Sequence, residues 1–300
     1  MTEQDITIKE NTANRKLTTE ERDSFDVKIF HDTKGHMTDW KELWSYRVMI
    51  KQLVKRDLLA SYRQTVMGAF WPIAQPIVAT LIMGIIFGNL AGLSPEGVPV
   101  FLFYLSGQFM WIYFSNCVST TANTFINNAP LMKQVYFPKL VFPLDGVITH
   151  GITLLIHMLL FILMYIAYVA SGAAVRPNIE ILLVPIYLLQ LTVLALGAGS
   201  ILASMTTKYK DMALMFNYGL LIWMYISPIV YDINIVPEKY LWIYMLNPIA
   251  PIAVQMRHAL FSLGESHWIS YLVSVALTLV IFVIGNRRFN KAGKSFVDTI

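Results

Sequence analysis

The chain has 300 residues, of which 56% are hydrophobic and only 14% charged, with a formal net charge of +4. A water-soluble fold carries about a quarter of its residues charged, so this composition excludes an ordinary soluble domain. The charges are also unevenly placed: no Lys, Arg, Asp or Glu occurs in residues 64–95, 97–132, 146–175, 181–207, 212–231 or 266–286. Each run is long enough to cross a hydrocarbon core, which takes about 20 residues.

In chain order, residues 1–38 are rich in Thr, Asn, Asp, Glu and Lys and predict a mobile tail without a cleavable signal peptide. Residues 39–61 predict an amphipathic helix. Asp39 and Glu42 have the spacing of a capping box. Leu43, Tyr46, Ile50, Leu53 and Val54 recur on one face, with Arg47, Lys51 and Lys55 along its edge. This suits a helix lying in the membrane interface, its basic groups reaching headgroups; the alternative is an extension of the first span. Residues 62–288 predict an all-α domain of six transmembrane helices, and 289–300 a second tail. Residues 240–256 are also free of charge but hold Pro248 and Pro251. They predict either a packed external loop or, the favoured reading, a re-entrant hairpin between spans five and six, turning near Val236, Pro237 and Glu238.

The remaining charges orient the spans. Twelve of the 23 Lys and Arg precede Gln64, and Lys133, Lys139, Lys208, Lys210, Arg287, Arg288, Lys291 and Lys294 fall on the same side. The opposite side receives only Arg176, Lys239 and Arg257. The positive-inside rule then places both termini in the cytoplasm. The net charge is a loop bias and implies no nucleic-acid partner. The single Cys117 excludes an internal disulfide framework.

Several motifs in fixed order carry a family resemblance. Arg56, Asp57, Leu58, Leu59, Ala60, Ser61, Tyr62, Arg63, Gln64 and Thr65 run into Gly68, Trp71, Pro72 and Pro76. Asn128, Ala129, Pro130, Leu131, Met132 and Lys133 follow, then Tyr136, Phe137, Pro138, Lys139 and Pro143. Tyr209-Lys210-Asp211, Ser227-Pro228-Ile229-Val230-Tyr231 and Leu246-Asn247-Pro248 come later. From about Trp44 to Arg288 the chain resembles the membrane subunit of type-2 ABC exporters for cell-surface polysaccharide, such as O-antigen and capsule permeases. The resemblance implies a homodimer in a bacterial inner membrane, joined to two separate ATP-binding subunits that carry ATP and Mg, and a lipid-linked glycan as substrate. No cofactor is expected on this chain. Gly293-Lys294-Ser295 looks like the end of a phosphate loop, but Arg288 stands where its first glycine is required.

The resemblance makes residues 121–139 the coupling helix that docks into the ATPase, with Asn127, Asn128, Leu131, Met132 and Lys133 as contacts. Asp211, with Lys208, Tyr209 and Lys210, is a second contact. Sugar chains offer apolar C–H faces and hydroxyls, which aromatic and amide side chains suit. Tyr104, Gln108, Trp111 and Ser115 share one helix face on span two. Gln75 on span one and Tyr218 and Tyr225 on span five complete the expected substrate path; interfacial anchoring is the competing role for such aromatics.

His150 and His157 share a face of span three with Asp145 nearby. They match no recognised metal pattern, and Asp145 suits an ion pair with Lys139. A proton-coupled secondary transporter would need mid-membrane charges or inverted repeats. A membrane glycosyltransferase would need clustered acids, whereas Glu96, Glu180, Asp232, Glu238 and Glu265 are scattered. A type-2 exporter of a drug or lipid is the nearest rival.

Overall fold

A computed structural model describes residues 40–62, 70–134, 138–173, 175–207, 209 and 211–299, without the side chains of 40–42, 61–62, 133–134 and 295–299. The tail 1–38, Asp39 with its capping box, and Arg63, Gln64, Thr65, Gly68, Tyr136, Phe137, Lys208 and Lys210 lie outside the described residues. The described chain is all-helical. It comprises α1 (Trp40–Ser45), α2 (Arg47–Tyr62), α3 (Trp71–Met83), α4 (Val100–Ala122), α5 (Thr124–Asn127), α6 (Ala129–Gln134), α7 (Val141–Ala170), α8 (Val184–Thr206), α9 (Met212–Ile226), α10 (Glu238–Tyr244), α11 (Ile249–Phe261) and α12 (Trp268–Thr299). A π-helical stretch, Gly84–Leu90, prolongs α3, and a 3-10 turn, Ile179–Leu183, leads into α8.

Among the described residues four helical stretches are long and apolar enough to cross a membrane: Trp71–Leu90, Val141–Ala170, Ile179–Thr206 and Trp268–Lys294. α4 is not one of them, and α9 is a shorter apolar helix. α4 is nonetheless the centre of the molecule. Nearly its whole length is buried, and α3, α7 and α8 pack around it. A helix covered on all sides has no need of a lipid-soluble surface, so it tolerates Ser106, Gln108 and Thr121 among its buried residues.

Proline and glycine shape the contacts. Pro76 inside α3 has no N–H, which leaves the Pro72 carbonyl without its helical donor. His157 Nε2 on α7 donates to that carbonyl at 2.8 Å. A side chain that could suggest a proton relay thus repairs a proline break. His150 is bonded instead to Thr120 Oγ1, 2.8 Å away. α8 and α12 cross at Gly197 and Gly285, where a Cβ on Gly197 would lie 2.7 Å from Phe282 Cα. Gln190 Nε2 on α8 donates to Ser274 Oγ on α12 at 2.9 Å along the same seam.

α1 and α2 turn the stripe Leu43, Tyr46, Ile50 and Leu53 onto Val141 and Phe142 at the start of α7. The charge-free run 97–132 does not form one helix. It breaks at Asn123 and Asn128, whose side-chain amides donate to the carbonyls of Ser119 (3.0 Å) and Thr124 (3.1 Å). Such local bonds compete with helix continuation.

Candidate translocation and coupling surfaces

At the end of α7 nearest α1 and α2, α5 and α6 form a short cap. Phe125 is buried against Phe289 of α12, ring centroids 4.8 Å apart. Leu131 and Met132 are half-buried and pack inward on the cluster that holds Leu43, Leu53, Val141 and Phe142. Asn127, Pro130 and Ile126 are exposed. Asn128 is half-buried. Lys139 Nζ donates to the Gly293 carbonyl, which ties the segment after the cap to the C-terminal helix. Asp211 is exposed at the start of α9, and the side chain of Lys133 is outside the described residues. The five positions expected at the coupling contact therefore divide. Asn127 faces outward with Ile126, a residue that sequence reasoning missed, while Leu131 and Met132 anchor the cap from below. Ile126 follows the buried Phe125 in an apolar pair, and only the fold shows that one of the two is turned out.

Asp145 is buried and accepts from Thr149 Oγ1 at 3.4 Å. The acid at the end of α2, Asp57, pairs with its neighbour Arg56 at 2.6 Å. Lys139, the expected partner of Asp145, is turned to Gly293 instead.

At the opposite end, residues 245–248 join α10 to α11, while Val236, Pro237 and Glu238 lead from a 3-10 turn, Ile233–Ile235, into α10. The side chains at the 245–248 turn fix it. Pro248 cannot continue α10, and Asn247 Oδ1 accepts from the Ile249 N–H at 3.3 Å as the chain enters α11. Asn247 also bolts the turn to α9: Trp223 Nε1 donates to its Oδ1 at 2.9 Å, and its Nδ2 donates to Ser227 Oγ at 2.9 Å. Ser274 of α12 donates to the Pro248 carbonyl at 2.6 Å.

Arg257 on α11 is the structural centre of this end. It is 6% exposed and meets an unwound stretch after α9. Nη1 donates to the carbonyls of Pro228 at 2.5 Å and Tyr231 at 3.2 Å, and Nη2 to Ile229 at 2.8 Å. Its guanidinium lies 3.8 Å from the ring centroid of Phe103 on α4. Gly107 permits this approach, since a Cβ there would lie 2.9 Å from the Ile229 carbonyl and 3.0 Å from Nη2. Burial pulls the Arg257 pKa down to about 10, which leaves it charged at neutral pH. Tyr231 and Tyr244 share a hydroxyl–hydroxyl bond of 2.7 Å nearby, and burial pushes both phenols up. Arg257 looked in sequence like a stray external cation. Its demand for carbonyl partners follows from burial, which one sequence does not print.

The expected path residues fall into two groups. Tyr104 is 1% exposed, and Gln108 and Trp111 are also buried beneath neighbouring helices. Tyr104 packs under the glycines of the π-helical stretch, where a Cβ on Gly88 would come within 3.1 Å of its Cε2. Trp111 contacts Phe114, which meets Trp223 of α9 edge-on at 5.3 Å. Ser115 is half-buried and donates to the Ile112 carbonyl at 3.2 Å. Gln75, Tyr218 and Tyr225 instead stand on exposed faces, Tyr218 at 70%. Tyr225 lies 6.4 Å from Phe87, which brings the end of the first span beside α9. Beside these exposed residues an open apolar cleft of about 520 Å3 runs along α9, lined by Met215, Gly219, Ile222, Trp223, Ile226 and Pro248.

Four helical stretches long and apolar enough to cross a membrane, packed around the buried α4, define a multi-pass helical membrane protein. Residues 49–261 match the family described as ABC-2 type transporter, and the chain belongs to that family. It is similar to the O-antigen export system permease protein RfbA of Klebsiella pneumoniae, 27% identical over 250 residues that cover 83% of this chain and 93% of the relative. The Myxococcus xanthus protein of the same name is 22% identical over 262 residues, 87% of this chain and 98% of the relative. The polysialic acid transport protein KpsM of Escherichia coli is 24% identical over 241 residues, 80% and 91% respectively.

Proposed function

We propose that this chain is the membrane subunit of an ATP-driven exporter that moves a lipid-linked polysaccharide, of O-antigen or capsule type, across the bacterial cytoplasmic membrane. The observation that carries this reading is the near full-length similarity to permeases named for O-antigen export, 93% of one relative being covered. The subunit works as a homodimer with two separate ATPase subunits, which hold ATP and Mg. Six spans cross the membrane: α3 with its π-helical extension, α4, α7, α8, α9 and α12. α1 and α2 form the interface helix, the α10–α11 hairpin is re-entrant from outside, and both termini are cytoplasmic, in keeping with the basic residues gathered at one end. The division into a tail (1–38), an interface helix (39–61), a transmembrane domain (62–288) and a C-terminal tail (289–300) follows from that topology.

The exposed faces of α3 and α9 support a path walled by two copies, with Gln75, Tyr218 and Tyr225 along it. Aromatic faces stack on successive sugar rings, and weak repeated sites let a polymer slide. Tyr104, Gln108, Trp111 and Ser115 back this wall and join the path only when α3 and α9 part. The cap formed by α5 and α6 carries Asn127 and Asn128 to the ATPase, supported from beneath by Leu131 and Met132, with Lys133 and Asp211 at its margins.

Co-expression with the cognate ATPase tests the reading. Co-purification in equal copy number, with ATP turnover stimulated by lipid-linked glycans, is the expected result. Stimulation by drugs or plain lipids alone would replace the glycan assignment. Failure to recruit any ATPase would remove the exporter reading.

A further inference from the structure

Between α2 and the start of α7 lies an open groove of about 500 Å3, lined by Leu43, Trp44, Ile50, Val54, Leu144 and Ile148, with Arg47 and Lys51 also lining it. Its floor is buried: Leu43 and Val54 are 4% and 8% exposed. Its rim is wet and basic. Arg47 and Lys51 are exposed and one helical turn apart. Arg47 Nη1 donates to the Trp44 carbonyl at 3.3 Å, which leaves most of its five N–H groups for another acceptor. Among the described residues no carboxylate pairs with Arg47 or Lys51; of the acids described nearby, Asp57 is bonded to Arg56 and Asp145 to Thr149. Trp44, 72% exposed beside the rim, is the residue type that settles at headgroup depth.

An apolar slot ending at two cations fits an anionic amphiphile. We propose that this groove binds one anionic phospholipid of the cytoplasmic leaflet, its acyl chain along Ile50, Val54, Leu144 and Ile148 and its phosphate on Arg47 and Lys51. The inference rests on the membrane topology proposed above, which sets α1 and α2 at the cytoplasmic interface. A bound lipid would fill the wedge between α2 and α7 and complete a contact that the protein leaves open. The site also adds a direction to the interface helix: the chain end of the lipid points along α7 into the bilayer, and the charged end fixes the depth of α2.

The test uses the full chain in nanodiscs of mixed phosphatidylglycerol and phosphatidylcholine, with native mass spectrometry of the lipids retained on release. Phosphatidylglycerol should be retained over phosphatidylcholine by about thirtyfold, the contribution of two basic residues at an anionic surface. Arg47→Gln with Lys51→Gln, both at exposed positions, should abolish the preference without changing the elution profile. Ile148→Trp, which fills the slot from the other wall, should exclude both lipids. Excess inorganic phosphate should leave the lipid bound. Equal retention of the two lipids, an unaltered preference in the double variant, or displacement by inorganic phosphate would each overturn the site. Absence of any lipid preference in the unsubstituted subunit, when it still inserts and recruits its ATPase, defeats this inference alone. Failure to insert in the membrane defeats the topology beneath it as well.

Discussion

α8 and α9 are successive apolar helices of one chain, yet they are treated in opposite ways. α8 is buried along much of its length, pressed to α12 at Gly197 and Gly285 and to α4 at Gly199, where a Cβ would lie 2.6 Å from Thr121 Cβ. α9 buries only Leu220 and Met224. Hydrophobicity does not separate them, because lipid is as apolar as leucine. Small residues and interhelical hydrogen bonds do, since these are what hold helices together in a bilayer. α8 spends most of its surface on helices of the same chain; α9 keeps a tyrosine face exposed beside an open cleft.

The largest effect that follows is at the α8–α12 crossing. Gly285→Leu must push two backbones apart and should cost more than about 3 kcal/mol, the upper end for ordinary overpacking. The readout is a lower midpoint of thermal unfolding in detergent and reduced membrane abundance. Next is Arg257→Ala, which strands three buried carbonyls and should cost about 3 kcal/mol, since hydrogen bonds to charged groups are the stronger kind. Arg257→Lys keeps the charge without the planar fork and should fall between, measured by the same melting curve. Asn247→Ala removes the bolt between the hairpin and α9 and should cost about 1 kcal/mol, seen as faster proteolysis of the loop 227–248. The smallest effect on folding is Tyr218→Ala, within about 0.5 kcal/mol as for other exposed positions, while export falls. If Tyr218→Ala lowers the melting midpoint as far as Gly285→Leu, the contrast between α8 and α9 is broken. If it leaves both folding and export intact, the exposed face of α9 carries no path.

Much of the architecture is legible in the charge gaps. The runs 146–175, 181–207, 212–231 and 266–286 contain most of α7, all of α8 and α9, and the first part of α12. The exceptions have physical causes. The run 97–132 exceeds one span because its break is made by Asn123 and Asn128, which are uncharged yet end helices by bonding back to the backbone. Between α10 and α11 the turn is made by Asn247 and Pro248, where the Asn247 amide bonds Ile249, Trp223 and Ser227, partners that the sequence does not bring together. The site was less legible. A shared helix face says that Tyr104, Gln108 and Trp111 point the same way, but not that α3 and α9 stand in front of them. Likewise the sequence places Leu131 and Met132 in a short segment but does not reveal that they pack on Leu43, Leu53, Val141 and Phe142.

The Arg257 contact set holds one more consequence. Its partners at bonding distance are three carbonyls and an aromatic ring, none of which titrates. The nearest carboxylate influence, Asp232, acts through space. Arg257 has a folded pKa of about 10, below its ordinary 12.5. Below about pH 9 the group is therefore protonated whether the chain is folded or not, and its own titration adds no pH dependence there. A salt bridge in the same place would weaken as an acid partner gained its proton. The Arg257 joint differs in kind, because its partners at bonding distance are dipoles and a ring rather than a titrating acid.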